Sequence, residues 1–336
     1  MDASLRTQDT PLTREAQTLS RMAVRSLIAS AAAFLVCTLV LAGIFLWQFG
    51  KHTQDTYARC ALVDIKARAI GSLPHPRLVF IGGSSVHWGV NAQLAGEKLG
   101  AAGGNFGTYA ALGPELLIWS AKKTLKPGDT AVLMLEYEHY GMAVAPADAI
   151  SFAMACEPEF IWSLSPLQLL RTLFAFDPWR VVDVWAWSRK TKPDMYFSVA
   201  SKHADAPTDP AQLRPVPQEQ VDRLKLYRPM PMRFNPEGVT VRAVTAFRDW
   251  AKANNVRLIA AWPNTIYFAE YENARALREI RAFYDGLGIP VAGTATNAML
   301  PLSEFRDTQY HLNPPGIRIR TERVIEELRP LMGKSP

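Results

Sequence analysis

"RLVFIGGSSVHWGVNA", Arg77 to Ala92, decides how this chain is read. The apolar run Leu78 to Ile81 suits a strand buried on both faces, and Gly82 and Gly83 then allow a sharp turn into Ser84 and Ser85. A serine so placed stands at the carboxyl end of a strand, where open parallel α/β sheets gather their sites. Working outward, "AQLAGEKLG" reads as a helix, "GGNFGTY" as the next strand, "GPELLIWSAKKTLKPGD" as a second helix and "TAVLMLEY" as a further buried strand. The same alternation returns late, with "VTVRAVTAFRDWAKANN", "VRLIAAWP", "ENARALREIRAFYDGLG", "IPVAG" and the closing helix "PGIRIRTERVIEELRPL". Strand and helix alternating in this way predict an α/β domain with a parallel sheet, assembled from 74–140 and 236–336.

Between these halves, 141–235 reads as an insertion. It carries aromatic helical patches, "EFIWSLSPLQLLRTLFAF" and "DPWRVVDVWAW", followed by a Pro-rich polar stretch. Two roles stay open for it: a packed cap that completes the core, or a lid or docking surface for the membrane or a membrane partner.

Leu27 to Phe49 contains no charge and is long enough to cross a hydrocarbon core of roughly 30 Å. Arg6, Arg14, Arg21 and Arg25 precede it, whereas Lys51 and Arg59 are the first basic residues beyond it. The positive-inside rule then leaves 1–26 in the cytoplasm and puts the rest outside, in the periplasm of a Gram-negative cell, with 50–73 as a helical stalk. Net charge is +6, from 37 basic and 31 acidic residues scattered along the chain, which argues against a nucleic-acid partner. Of three cysteines, Cys37 lies in the apolar span; Cys60 and Cys156 are either a disulfide or two buried thiols. No metal-ligand spacing and no cofactor motif is present.

A second chemical block, "FRDTQYHLNPPG", leads into the last helix and offers Asp307 and His311. Serine, imidazole and carboxylate on neighbouring loops are what nucleophilic catalysis needs: a base beside the nucleophile, and a carboxylate fixing the base's tautomer. His87, close to Ser84 in sequence, and His139 are further cleft candidates, and Glu136 and Glu138 could bind a polar acceptor or tune a histidine.

These blocks resemble the SGNH (GDSL-like) hydrolase superfamily, and within it the membrane-anchored branch that accompanies polysaccharide O-acylation, the DltD, AlgJ and AlgX type. The resemblance covers Arg77 to Tyr140 and Asn235 to Leu331. It implies a three-layer, flavodoxin-like domain with Ser84 as nucleophile, His311 as base and Asp307 as its orienting acid. It also implies that the Ser84 and Gly107 backbone N–H groups form the oxyanion site. The implied substrates are an acyl ester and a cell-envelope glycan, and the implied partner is a membrane-bound O-acyltransferase. Three departures stand out. Gly83 replaces the usual Asp of the first block. Asp307 and His311 are four apart rather than three. The third block's oxyanion Asn is missing, with Glu136 and Glu138 in its place, so Asn264 becomes the candidate substitute. That loss motivates one alternative, a catalytically silent glycan-binding or scaffold module; another, a solitary esterase or lipase, keeps the triad and needs no partner.

Overall fold

The computed structural model describes residues 11–174, 177–191 and 201–333. The chain divides into two units, 1–49 and 50–336. In the first, one helix runs Pro11–Trp47, and its stretch Thr18–Trp47 has a mean hydropathy of 2.5. By length and composition it can cross a membrane, since 30 residues rise roughly 45 Å as α-helix.

The second unit is built on a five-stranded parallel sheet. The strands in chain order are β1 (Arg77–Gly82), β2 (Ala102–Gly107), β3 (Thr130–Met134), β4 (Arg257–Ala261), β5 (Thr265–Ile266), β6 (Val291–Ala292) and β7 (Met299–Leu300). The sheet order is β2-β1-β3-β4-β6, while β5 and β7 form a separate parallel pair. Gly82 lies abreast of both Gly107 and Met134. The turns after β1, β2 and β3 therefore leave from one edge of the sheet, and the candidate residues concentrate there.

Alternation along each strand produces the core. Leu78 and Phe80, Val132 and Met134, and Ile259 and Ala261 pack with Val324, Ile325 and Leu328 of helix Pro314–Met332 and with Ala92 and Ala95 of helix Ala92–Leu99. Each large side chain fully removed from water contributes about 1.5–3 kcal/mol. At the opposite edge, buried Arg77 donates to both Asp129 oxygens and to the Ile70 carbonyl, fixing the entry to β1. Burial alone would raise the Asp129 carboxyl, but hydrogen bonds from Arg77 and Lys126 hold it below its ordinary value.

The glycines of β2 reflect close backbone approach. A Cβ on Gly103 would sit 1.7 Å from the Ala92 carbonyl, and one on Gly107 would sit 2.1 Å from the His87 nitrogen.

The structure differs from the expected stalk. Helix Gln54–Gly71, opened by a Thr53 capping box, buries Cys60, Leu62, Val63, Lys66 and Ile70 and packs against β2. Its polar residues misled the reading, because Lys66 is buried too. Cys60 is disulfide-bonded to Cys156 of helix Ala147–Cys156, tying this helix to the insertion. The insertion's first helix buries Phe152, Ala153 and Met154, completing the core. Its return segment lies along β2, where Asn105 N donates to the His203 carbonyl at 2.9 Å. There Asp205 accepts from the Ala92 and Gln93 amides at 2.7 and 3.1 Å, so the exposed edge of the sheet is covered.

Candidate functional site

Ser84 opens the four-residue helix Ser84–His87 directly after the β1 turn and is half-buried. Its neighbour Ser85 is fully buried, so only Ser84 of the pair reaches the surface. Among the described residues, neither the Ser84 N–H nor its Oγ hydrogen-bonds to a protein acceptor. The amides on either side are engaged: Gly83 N and Ser85 N donate to the two oxygens of Glu136 at 3.2 and 3.0 Å.

That carboxylate also explains Gly83. A Cβ at this position would lie 2.4 Å from Glu136 Oε1 and 2.7 Å from the Ala110 backbone. The position where the resemblance expects an aspartate has no room for one, because Glu136, in the turn just past β3, fills it. Glu136 is 1% exposed. It lies 3.6 Å from His139 Nδ1, and His139 Nε2 donates to the Ala110 carbonyl at 2.8 Å. Glu136 and His139 thus hold the turn from behind and do not line an open cleft, contrary to their expected placement.

The C-terminal loop is shaped by its own backbone. Arg306 N donates to the His311 carbonyl at 2.8 Å, and His311 N donates to the Thr308 carbonyl at 3.3 Å. This turn accommodates the four-residue spacing of Asp307 and His311, so His311 Nδ1 meets Asp307 Oδ1 at 2.6 Å. Burial opposes the Asp307 charge, but the hydrogen bond and charge of His311, with Arg306 3.5 Å away, hold its carboxyl below the usual value. With Nδ1 bonded to a carboxylate, the neutral imidazole keeps Nε2 as its acceptor.

Two contacts to Trp88 bring this loop to the serine helix, and bonds to Asn264 and Glu138 hold it to the turns after β4 and β3. Leu312 N donates to the Trp88 carbonyl at 3.1 Å, and the Trp88 and His311 rings lie 6.0 Å apart. Asn264 Nδ2 donates to the Tyr310 carbonyl at 2.7 Å. Glu138, exposed, accepts from Gln309 Nε2 at 3.0 Å and from the Tyr310 hydroxyl. No hydrogen bond joins Ser84 Oγ to His311 among the described residues.

Three expected roles fall differently. The Gly107 N–H donates to Asn105 Oδ1 at 2.9 Å, and the space beside Gly107 is filled by the His87 backbone, so this amide is not offered to a substrate. Asn264 is fully buried and anchors the histidine loop, so its amide is not an oxyanion donor. His87 is 4% exposed against Trp88. Its pKa is driven well below the ordinary value by burial, then by the charges of Lys66 and His311, which leaves it neutral.

Sequence reasoning missed Asn105. Its Nδ2 donates to the Val86 and Val90 carbonyls at 3.0 and 2.8 Å, while its Oδ1 accepts from Gly107 N and from Lys66 Nζ at 3.1 Å. Lys66 Nζ also donates to the Asn105 and Ala204 carbonyls. This fully buried pair fixes the helix that begins with Ser84. The available signal was a lone amide in a strand otherwise made of glycine, alanine and phenylalanine, since a buried polar side chain persists only with partners.

The one His/Cys/Asp/Glu grouping of metal-site dimensions among the described residues is His52, Cys60 and Cys156, and its sulfurs form the disulfide. A cavity of about 240 Å³ beside Leu112, Ile161 and Val239 is lined by none of the candidate residues. No protein-family model matches the chain, and no curated protein matches it either.

Proposed function

We propose that the chain is a membrane-anchored, SGNH-like acyl-transfer protein whose α/β domain works outside the cytoplasm. The Asp307–His311 pair, docked through Leu312 onto the segment that starts at Ser84, carries this reading. The sheet order supports a flavodoxin-like, three-layer arrangement with its site at the carboxyl ends of the strands. The N-terminal arginines and the Cys60–Cys156 disulfide support an oxidising, extracytoplasmic location.

In this mechanism Ser84 Oγ attacks the acyl carbonyl carbon while its proton passes to His311 Nε2, with Asp307 fixing the tautomer. The oxyanion is held by the Ser84 N–H, the one amide of the turn not bonded to Glu136. The carbon–oxygen bond to the leaving group breaks and His311 returns the proton to it. An acceptor hydroxyl, or water, then takes the acyl group from Ser84 by the same steps reversed. The resemblance supplies a cell-envelope glycan as acceptor and a membrane-bound O-acyltransferase as partner.

A second reading, a silent glycan-binding or scaffold module, draws on two observations. The Gly107 amide is already committed, and a buried carboxylate lies beside the position where negative charge would develop. Loss of one oxyanion donor costs roughly 10²–10³ in rate.

The two readings separate with a fluorophosphonate probe on the detergent-solubilised full chain. The enzyme reading expects an adduct on Ser84, lost in Ser84→Ala and kept in Ser85→Ala. It also expects labelling slowed about 10³-fold or more in His311→Ala, and less in Asp307→Asn. An adduct on another serine overturns the site, and no adduct at all leaves the silent module.

A further inference from the structure

Helix Trp179–Ser188 has two unlike faces. Arg180, Val184 and Trp187 point inward. Outward, at helical spacing, stand Trp179, Val182 and Trp185, which are 72%, 51% and 51% exposed, with Asp183 at the margin. The helix that precedes it in the chain, Pro166–Phe174, also exposes Leu167 and Leu170. Water-facing tryptophans spaced along one helix are costly for a domain surface unless something covers them.

The inward face indicates what covers them. The buried Arg180 guanidinium donates to the Lys51 carbonyl at 2.7 Å and to Ser151 Oγ at 2.9 Å. The Trp187 ring lies 5.6 Å from that of Tyr57. Lys51 is only four residues past Trp47, where the apolar helix ends. An extended chain spans roughly 14 Å over that interval. The helix that carries the stripe is therefore hydrogen-bonded, through Arg180, to a segment that an anchor ending at Trp47 keeps close to the membrane surface. Tryptophan favours the headgroup level, where its ring is apolar and its N–H is wet. Arg189, stacked 3.6 Å from the centre of the Trp185 ring, and exposed Lys190 supply cations that suit anionic headgroups.

We propose that Trp179, Val182 and Trp185 seat in the headgroup boundary of the bilayer that the chain itself crosses, so that the domain lies on the membrane rather than hanging from a tether. This rests on reading Thr18–Trp47 as a transmembrane anchor.

Nitroxide labels at single cysteines test both statements separately, in full-length protein carrying Cys37→Ala. The reconstitution uses nanodiscs of phosphatidylethanolamine and phosphatidylglycerol. Val182→Cys is the test position, Phe34→Cys reports the anchor, and Ala246→Cys on the exposed face of helix Val239–Ala253 reports water. All three positions are exposed, so the substitutions leave the core intact. The expected result is collision with oxygen exceeding that with a polar nickel chelate several-fold at positions 34 and 182, with the reverse at 246. A lipid-like signal at 34 with a water-like signal at 182 overturns docking and leaves the anchor standing. A water-like signal at 34 overturns the anchor itself. If 182 is water-like in nanodiscs and becomes shielded from both reagents only in native membranes, the stripe is covered by a protein and the bilayer assignment falls.

Discussion

The turn that carries Ser84 and the helix that carries Trp179 invert the usual distribution of groups. Around Ser84 the polar groups are inside: Glu136, Asn105, Lys66 and Asn264 are all buried, and most of their partners lie far away in sequence. Around Trp179 the apolar groups are outside, and only Arg180 of the helix's charges turns inward. Buried polar networks hold one geometry because each unmade bond is costly, whereas exposed apolar surface specifies no geometry of its own and gains free energy only when a partner removes it from water. One region is organised to keep a shape, the other to meet something.

The sharpest way to break this contrast is Asn105→Ala. It removes bonds to Val86, Val90, Gly107 and Lys66 together and leaves a buried amine short of an acceptor. The expected loss is about 3–5 kcal/mol of unfolding free energy, read by chemical denaturation of the full chain in mild detergent. A loss below about 1 kcal/mol would mean that the network does not hold the turn.

A smaller effect is expected from pH. Burial lowers the Lys66 pKa from the usual 10.5 to about 7, with Asp205 pulling the other way. Between these values the unfolded chain binds the proton and the folded chain does not, so stability should rise with pH across that window. The slope from this one group is at most about 1.4 kcal/mol per pH unit. Unfolding midpoints at pH 7, 8 and 9 measure it. Lys66→Met should flatten the trend, and an unchanged slope in that variant would assign it to other groups.

The smallest effect belongs to the stripe. Trp179→Ser and Val182→Ser should each shift stability by no more than about 0.5 kcal/mol, since both side chains already face water. A loss of 2 kcal/mol or more by the same denaturation assay would show that these side chains are packed, and the contrast between the two regions would dissolve.

How far the sequence reveals all this depends on the range of the interactions. β1, β3 and β4 were legible because four or five consecutive apolar residues have few other homes, and Asp307 with His311 because they share one loop. Asn105 was not legible, since its partners at positions 66, 86 and 90 converge only when the sheet is assembled. Glu136 was read as a charge facing a cleft because nothing local shows that Gly83 and Ser85, more than fifty positions away, turn their amides toward it. Lys66 misled for the same reason: a lysine in a polar helix is ordinarily outside.

The cover on β2 bears on how the protein is made. The strand is complete once Gly107 has emerged, but the His203 carbonyl that receives the Asn105 amide comes about a hundred residues later. At a synthesis rate of about 5–20 residues per second, that delay is about 5–20 s. During this interval a nascent domain presents a bare strand edge to its neighbours. Biogenesis therefore has a vulnerable stage that the finished protein no longer shows, and a holding factor would be most useful to it there.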